Sequence, residues 1–171
     1  MKSSPRQPLN KTWVVNSSPV IALARVGRLE LLTRLPQKIV MPNAVRDELL
    51  NAPDGDVARV AVEGNFFEIA EEFDPLPEVL TWDLGKGETA VLTYARLSAG
   101  CVAVLDDRAA RRCANSLSIP LVGTLSVVIM AKQKNMIESA SQVLRSLQQT
   151  GFRLDDDVIR TALSRTVGEE W

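Results

Sequence analysis

The stretch CVAVLDDRAARRCANSLSIPLVGT, residues 101–124, decides the fold class of this chain. It opens with an unbroken apolar run, residues 101–105, which is typical of a strand buried on both faces. Apolar side chains then recur at positions 110, 113, 114 and 117 with the spacing of a helix. A second short apolar run, residues 120–122, ends at a glycine and a threonine. Strand, helix and strand in this order predict two parallel strands joined by a helix that crosses one face of the sheet.

The same alternation extends toward both termini. Further strands are predicted at residues 13–15, 38–41 and, more weakly, 66–69, with helices between them and three more helices after residue 124. A serine is expected to cap the first helix, with Pro19 at its first position, and Ser139 and Asp155 are expected to cap the last two. The pattern predicts an α/β fold, a three-layer α/β/α sandwich with a central parallel sheet.

Length and composition favour one domain, expected at residues 12–167 between a flexible N-terminal lead (1–11) and a C-terminal tail (168–171). No run of about 18 apolar residues is present, so no membrane contact is expected. Cys101 and Cys113 are interpreted as small core side chains, and two cysteines without a disulfide pattern favour the reducing cytoplasm.

The chain contains no histidine and carries a formal net charge of −1. The missing histidine excludes serine and cysteine triads as well as HExxH metallopeptidases. The near-neutral charge means that contact with nucleic acid requires a local basic patch. A hydrolase of this sequence must therefore work with carboxylates, hydroxyls, lysines or a metal.

Polar side chains follow several of the predicted strands. Because the carboxyl ends of parallel strands lie at one edge of the sheet, residues from separate segments can meet there. Carboxylate, amide and hydroxyl oxygens suit the hard cations Mg²⁺ and Mn²⁺. The candidate metal ligands are Asn16, Glu48, Glu88, Asp106, Asp107 and Thr124.

Each candidate also has a purely structural interpretation. Glu88 suits a helix N-terminus through the helix dipole alone, and the two aspartates suit a helix cap. Since strand side chains alternate in direction, only one aspartate of the pair is expected to face the cleft. Glu48 fits a solvated helix surface, and Thr124 fits a plain cap.

Five segments together resemble the PIN-like family, in a branch of uncharacterised bacterial and cyanobacterial proteins related to VapC toxins. These segments are VVNSSPVIALARVGRLELL, MPNAVRDELL, DLGKGETAVLTYARL, VLDDRAARRCANSLSIPLVGTL and GFRLDDDVI, and they occur in the family's order over residues 13–166. The resemblance implies a PIN-like three-layer fold and an endoribonuclease that uses Mg²⁺ or Mn²⁺. It also implies RNA as substrate and often a small antitoxin protein as partner.

By the same resemblance, Glu48, Glu88 and Asp107, with Asp106 beside it, match the acidic catalytic positions, and Thr124 matches the polar position after the last strand. Asn16 departs from the family pattern, because PIN nucleases commonly place an aspartate there. An amide oxygen can still contact a metal, but it carries no charge, so metal affinity and activity are expected to fall.

Arg108, Arg111 and Arg112 follow the aspartates and are candidates for contact with an RNA backbone, as is Lys86. The alternative for these residues is an ordinary solvated surface. The apolar faces of the final helices could serve the core, a partner protein or a homodimer.

The first alternative function is a weak or inactive PIN-like module that binds nucleic acid or a protein. A phosphoacceptor or phosphatase domain is disfavoured because Asn16-Ser17-Ser18 supplies no aspartate after the first strand. A dinucleotide-binding domain is disfavoured because no GxGxxG follows that strand.

Overall fold

The computed structural model describes residues 9–171. Within these residues the strands are β1 Thr12–Val15, β2 Lys38–Met41, β3 Glu68–Ile69, β4 Val102–Val104 and β5 Leu121–Val122. The helices are α1 Ser17–Arg25, α2 Glu30–Arg34, α3 Asn43–Leu50, α4 Val57–Glu63, α5 Pro77–Leu80, α6 Lys86–Leu97, α7 Arg108–Ser116, α8 Thr124–Gln133, α9 Ala140–Gln149 and α10 Asp156–Thr166. Residues 1–8, most of the expected N-terminal lead, lie outside the described part of the chain.

The strands form one parallel sheet in the order β3-β2-β1-β4-β5. The chain first winds outward from β1 through β2 to β3, and then returns to continue from β4 to β5 on the other side. The order therefore reverses between β1 and β4, where Val15 is in register with Val104. In open parallel sheets this reversal opens a crevice at the carboxyl ends of the strands, and ligands bind there. The predicted three-layer α/β/α fold with a central parallel sheet is confirmed.

The central strands are buried on both faces, as their unbroken apolar sequences predict. Trp13, Val14 and Val15 of β1 are fully buried, and so are Ala103 and Val104 of β4. Helices therefore cover the sheet on both sides, and the polar residues that follow the strands are held on a rigid base.

The final helices turn their apolar faces inward. Val143, Leu144 and Leu147 of α9 and Ile159 and Leu163 of α10 belong to the main hydrophobic cluster. Of the uses left open for these faces, the structure assigns them to the core. No helix in residues 9–171 is long and apolar enough to cross a membrane.

The start of α1 differs from the expectation. Asn16, with an extended backbone, is the N-cap residue, so the helix begins at Ser17 and Pro19 is its third residue rather than its first. No side chain makes a cap hydrogen bond there. The reason is that the Asn16 side chain is used elsewhere, in the crevice described next.

Candidate active site

The crevice at the carboxyl ends of β1, β4 and β5 contains three of the predicted residues. Asn16 directly follows β1, Asp106 follows β4 after one further residue, and Thr124 begins α8 after β5. The Asn16 N–H donates to the Val104 carbonyl at 3.2 Å, which ties the two halves of the sheet together at the point of reversal.

Asn16 is buried, with 1% of its surface exposed, yet only one of its two side-chain polar atoms makes a hydrogen bond. Its Nδ2 donates to Glu88 Oε1 at 3.0 Å, while Oδ1 has no hydrogen-bond partner. Within residues 9–171 it is the one buried side-chain polar atom in this condition. A buried carbonyl oxygen without a donor is costly, so this atom is a candidate for contact with a cation or a ligand.

Glu48 reaches the same place from α3 because Gly87 leaves room for it. A Cβ atom at Gly87 would lie 2.9 Å from Asn16 Oδ1 and 3.1 Å from Glu48 Oε2. Gly87 is buried in the first turn of α6, one residue before Glu88. The missing side chain therefore lets Asn16, Glu48 and Glu88 present oxygen atoms around one small space.

Asp106 and Thr124 form a second, adjoining pair. The Thr124 N–H donates to Asp106 Oδ1 at 2.8 Å, and the Thr124 hydroxyl donates to Oδ2 at 2.6 Å. Burial raises the pKa of the Asp106 carboxyl, while the two bonds from Thr124 and the nearby Arg111 charge oppose that rise. The carboxylate is thus held in one orientation at the ends of β4 and β5.

Asp107 is exposed and caps α7, since its Oδ1 accepts from the Ala110 N–H at 2.8 Å. Of the aspartate pair, Asp106 is therefore the one bonded to another predicted site residue. A metal-binding role for Asp107 stays a prediction.

The predicted basic residues lie on both sides of these groups. Lys86 is exposed and lines a cleft of about 600 Å³ together with Glu48 and Glu88. Arg108, Arg111 and Arg112 line a different cavity, of about 570 Å³, which Asp106 also borders.

The donors present fit a hard divalent cation, although they do not form a cage of carboxylates. No group of three or more His, Cys, Asp or Glu side chains in residues 9–171 is arranged to hold a metal. The fit rests instead on the unpartnered Asn16 oxygen beside the Glu48 and Glu88 carboxylates, because oxygen donors suit Mg²⁺ and Mn²⁺. Sequence reasoning named these residues but missed the role of Gly87, for which the sequence GKGE was the available signal.

An α/β domain with carboxylates at the carboxyl edge of a parallel sheet belongs to a class that includes metal-dependent hydrolases. The profile of one family, described as PIN domain, matches residues 12–169, and the chain belongs to this family. The PIN domain is a nuclease fold that is generally metal-dependent. A comparison with curated proteins found no match.

Proposed function

We propose that this protein is a Mg²⁺- or Mn²⁺-dependent endoribonuclease of the toxin–antitoxin type, related to VapC. The observation that carries the proposal is the buried, unpartnered Asn16 oxygen beside Glu48 and Glu88. Family membership supports nuclease chemistry, and the oxygen donors support a hard cation.

Asn16, Glu48 and Glu88 would hold the metal. Asp106, oriented by Thr124, would complete the polar edge, and we favour it over Asp107 because the Asp107 carboxylate is used as a helix cap. When bound, the metal supplies charge neutralisation at the scissile phosphate and a water of lowered pKa. Lys86, at the mouth of the cleft, would contact a phosphate of the substrate.

The test is cleavage of labelled single-stranded RNA with Mg²⁺ or Mn²⁺, with an EDTA control and the variant Glu88→Gln. This variant keeps the shape of the side chain and removes its charge. Cleavage that needs the metal and is lost in the variant supports the proposal. Well-folded protein that cuts none of several RNAs contradicts it.

A second function, a weak or inactive PIN-like module that binds nucleic acid or a protein, is favoured by the Asn16–Glu88 hydrogen bond. The amide neutralises no cation charge and already occupies one oxygen of Glu88. The test compares RNA cleavage by the wild type and by Asn16→Asp in the presence of metal. Cleavage by the variant alone would support the second function, in which the wild-type chain keeps the nuclease fold but works as a binding module.

A small antitoxin protein is the proposed partner, and an apolar groove beside the cleft supports it. Phe73, Leu80 and Leu84 line this groove of about 570 Å³, with Glu72 and Asp74 among its acidic residues. A segment with apolar and basic side chains would match it. Co-expression with the product of the adjacent gene, followed by gel filtration, tests for a stable complex.

A homodimer is also proposed, and the exposed apolar residues of α4 support it. Val57 and Val60 are 49% and 51% exposed, and Phe66 nearby is 54% exposed. Light scattering should detect a dimer that Val60→Glu dissociates. A cytoplasmic location is proposed because both cysteines are buried and free.

A further inference from the structure

The segment Gly151-Phe152-Arg153-Leu154-Asp155, between α9 and α10, has no part in the site described so far. In the folded chain its residues 152–155 line the same cavity as the N-terminal half of α7. Arg153 of this segment thereby joins Arg108, Arg111 and Arg112 around one space of about 570 Å³. We call this cavity, with its four arginines, the arginine groove.

Positive charge is in excess in the arginine groove, because within the described part of the chain four arginines line the cavity and only two acids, Asp106 and Asp155, border it. Arg108, Arg112 and Arg153 make no ion pair or side-chain hydrogen bond within residues 9–171. Residues 1–8 contain no aspartate or glutamate that could supply one. Arg111 donates Nη1 to the Leu105 carbonyl at 3.1 Å, and its charge also acts on the nearby Asp106 carboxylate.

The two acids that border the arginine groove already accept hydrogen bonds from other groups of the protein. Asp106 accepts both bonds from Thr124, and Asp155 accepts from the Asp157 and Val158 N–H groups at 2.9 and 3.1 Å as the cap of α10. Arg108, Arg112 and Arg153, which neither acid pairs with, are therefore available for an external anion. The N-terminal ends of α7, α8 and α10 also border the cavity, and their dipoles favour negative charge as well.

The wall of the arginine groove is apolar. Phe152 and Leu154 are partly buried there, and Val158 is 53% exposed. Arginines beside an aromatic and aliphatic wall are the combination that takes a single strand, because its phosphates meet the cations while its unpaired bases contact the wall. In a duplex the bases are stacked inside and cannot use such a wall.

We propose that the arginine groove binds a single-stranded phosphodiester chain and that Arg153 and Phe152 are direct contacts. Asp106 borders this groove and also lies in the crevice at the carboxyl ends of β1, β4 and β5, so the strand would leave the scissile position along α7 toward the α9–α10 segment. The identification of the ligand as RNA rests on the proposed function, but the binding itself requires no metal and no cleavage.

The test is the fluorescence anisotropy of a fluorescein-labelled single-stranded oligoribonucleotide, titrated with the full chain in EDTA at several salt concentrations. Each phosphate contact contributes about 0.7 to the slope of log affinity against log salt for single strands. Arg153→Ala should weaken binding severalfold and lower this slope by about 0.7. Phe152→Leu, which keeps an apolar side chain and removes the ring, should weaken single-strand binding while leaving the slope unchanged.

Arg34→Ala is the matched control, because Arg34 is exposed on α2, makes no ion pair within residues 9–171 and does not line the cavity. It removes the same charge and should leave both affinity and slope as in the wild type. Circular dichroism of each variant confirms that the fold is retained.

Several outcomes would overturn this assignment. Equal effects of the Arg34 and Arg153 variants would mean that only overall charge matters. Competition by polyglutamate as strong as that by RNA would point to an acidic protein segment, and equal binding of duplex RNA would remove the single-strand assignment. If Arg153→Ala cleaves RNA as the wild type does, the proposed nuclease function is retained, but the arginine groove does not bind the substrate.

Discussion

At the scale of single residues, Asn16 explains how this site can be stable without a bound cation. Its Nδ2 donates to Glu88, so the carboxylate has a partner in the protein itself. An aspartate at this position would instead place two like charges at hydrogen-bond distance, which requires a cation or a shared proton. The amide thus stabilises the crevice in the metal-free state.

Asn16→Asp should therefore destabilise the metal-free protein. We expect the free energy of unfolding in EDTA to fall by about 1–3 kcal/mol, because a buried hydrogen bond is replaced by repulsion. Mg²⁺ or Mn²⁺ should raise the melting temperature of the variant more than that of the wild type, since a ligand that binds the folded state stabilises it more as its affinity rises. Thermal denaturation with and without metal measures both effects, and identical melting curves in EDTA would contradict the prediction.

At Asp106, in contrast to Asn16, the wild-type side chain is charged and its burial costs stability. Burial raises the pKa of its carboxyl despite the bonds from Thr124, so ionisation of this group costs the folded state free energy as the pH rises above the ordinary value of 3.8. Asp106→Asn removes that cost. We expect urea denaturation at pH 7 to give the variant a free energy of unfolding equal to that of the wild type or up to about 1 kcal/mol higher, while RNA cleavage is lost. The stability difference should shrink as the pH falls toward 3.8, and a large loss of stability at pH 7 would contradict this account.

At the scale of elements, α6 approaches α3 and β1 closely because Gly87 has no side chain. The glycine stands where a Cβ would collide with Asn16 and Glu48. The sheet and these two helices are thus spaced for polar side chains to fill the gap, and the site depends on a position that contributes no chemistry of its own.

Gly87→Ala should separate folding from function. Alanine favours a helix over glycine by about 1 kcal/mol, which offsets part of the cost of displacing the two side chains. We expect a melting temperature close to that of the wild type and loss of both metal binding and RNA cleavage. Calorimetric titration with Mn²⁺ measures the binding directly, and unchanged Mn²⁺ affinity would show that the close contact is not needed.

Local sequence signals predicted most of the elements. The caps at Ser139 and Asp155 are confirmed, since their side chains accept from the Gln142 N–H at 3.2 Å and the Asp157 N–H at 2.9 Å. The helix Pro77–Leu80 was missed because four residues carry too little periodicity to reveal it. The expected serine cap of α1 is wrong, because Asn16 is the N-cap residue, and it makes no side-chain cap bond because Glu88, distant in sequence, takes its side chain.

At the scale of the whole molecule, the order of the strands predicts part of the site and not the rest. Any parallel sheet brings the residues after β1, β4 and β5 to one edge, so Asn16, Asp106 and Thr124 could be grouped from sequence alone. Glu48 and Glu88 join them through the packing of α3 against α6, which depends on tertiary contacts. The contribution of Arg153 could not be foreseen, because a loop near the end of the chain returns to α7 only in the folded protein.

The last residues of the chain connect distant helices. Glu169 accepts from the N–H groups of Ala140 and Ser141 at 3.0 and 2.8 Å and from the Ser139 hydroxyl at 3.0 Å, at the start of α9. Trp171 lies against Arg145, whose guanidinium carbon is 5.2 Å from the ring centroid. The expected C-terminal tail therefore includes residues with defined contacts.

Glu169→Gln should weaken this connection in a pH-dependent manner. Burial alone would raise the pKa of Glu169, but the hydrogen bonds from Ser139, Ala140 and Ser141 outweigh it and lower the pKa to about 2. The ionised carboxylate thus stabilises the fold above its ordinary value of 4.5, and this contribution is lost as the pH falls toward 2. We expect a loss of about 1–2 kcal/mol at pH 7, measured by urea denaturation, that diminishes below pH 4.5.

The exposed neighbour Glu170 provides the control for this experiment. Glu170→Gln removes the same charge without touching the cap of α9, so its free energy of unfolding should match that of the wild type at every pH. Equal losses in the two variants would show that the cap contributes nothing specific.

The amide at position 16 also has a consequence for how this protein can change over generations. Asparagine and aspartate have the same shape, and their codons differ in the first base alone. One base substitution therefore separates the amide form of this crevice from the charged form, with no intermediate that must repack the core. A lineage that carries this gene can alternate between a site with an uncharged amide and a site with an additional carboxylate by mutation and reversion at a single nucleotide.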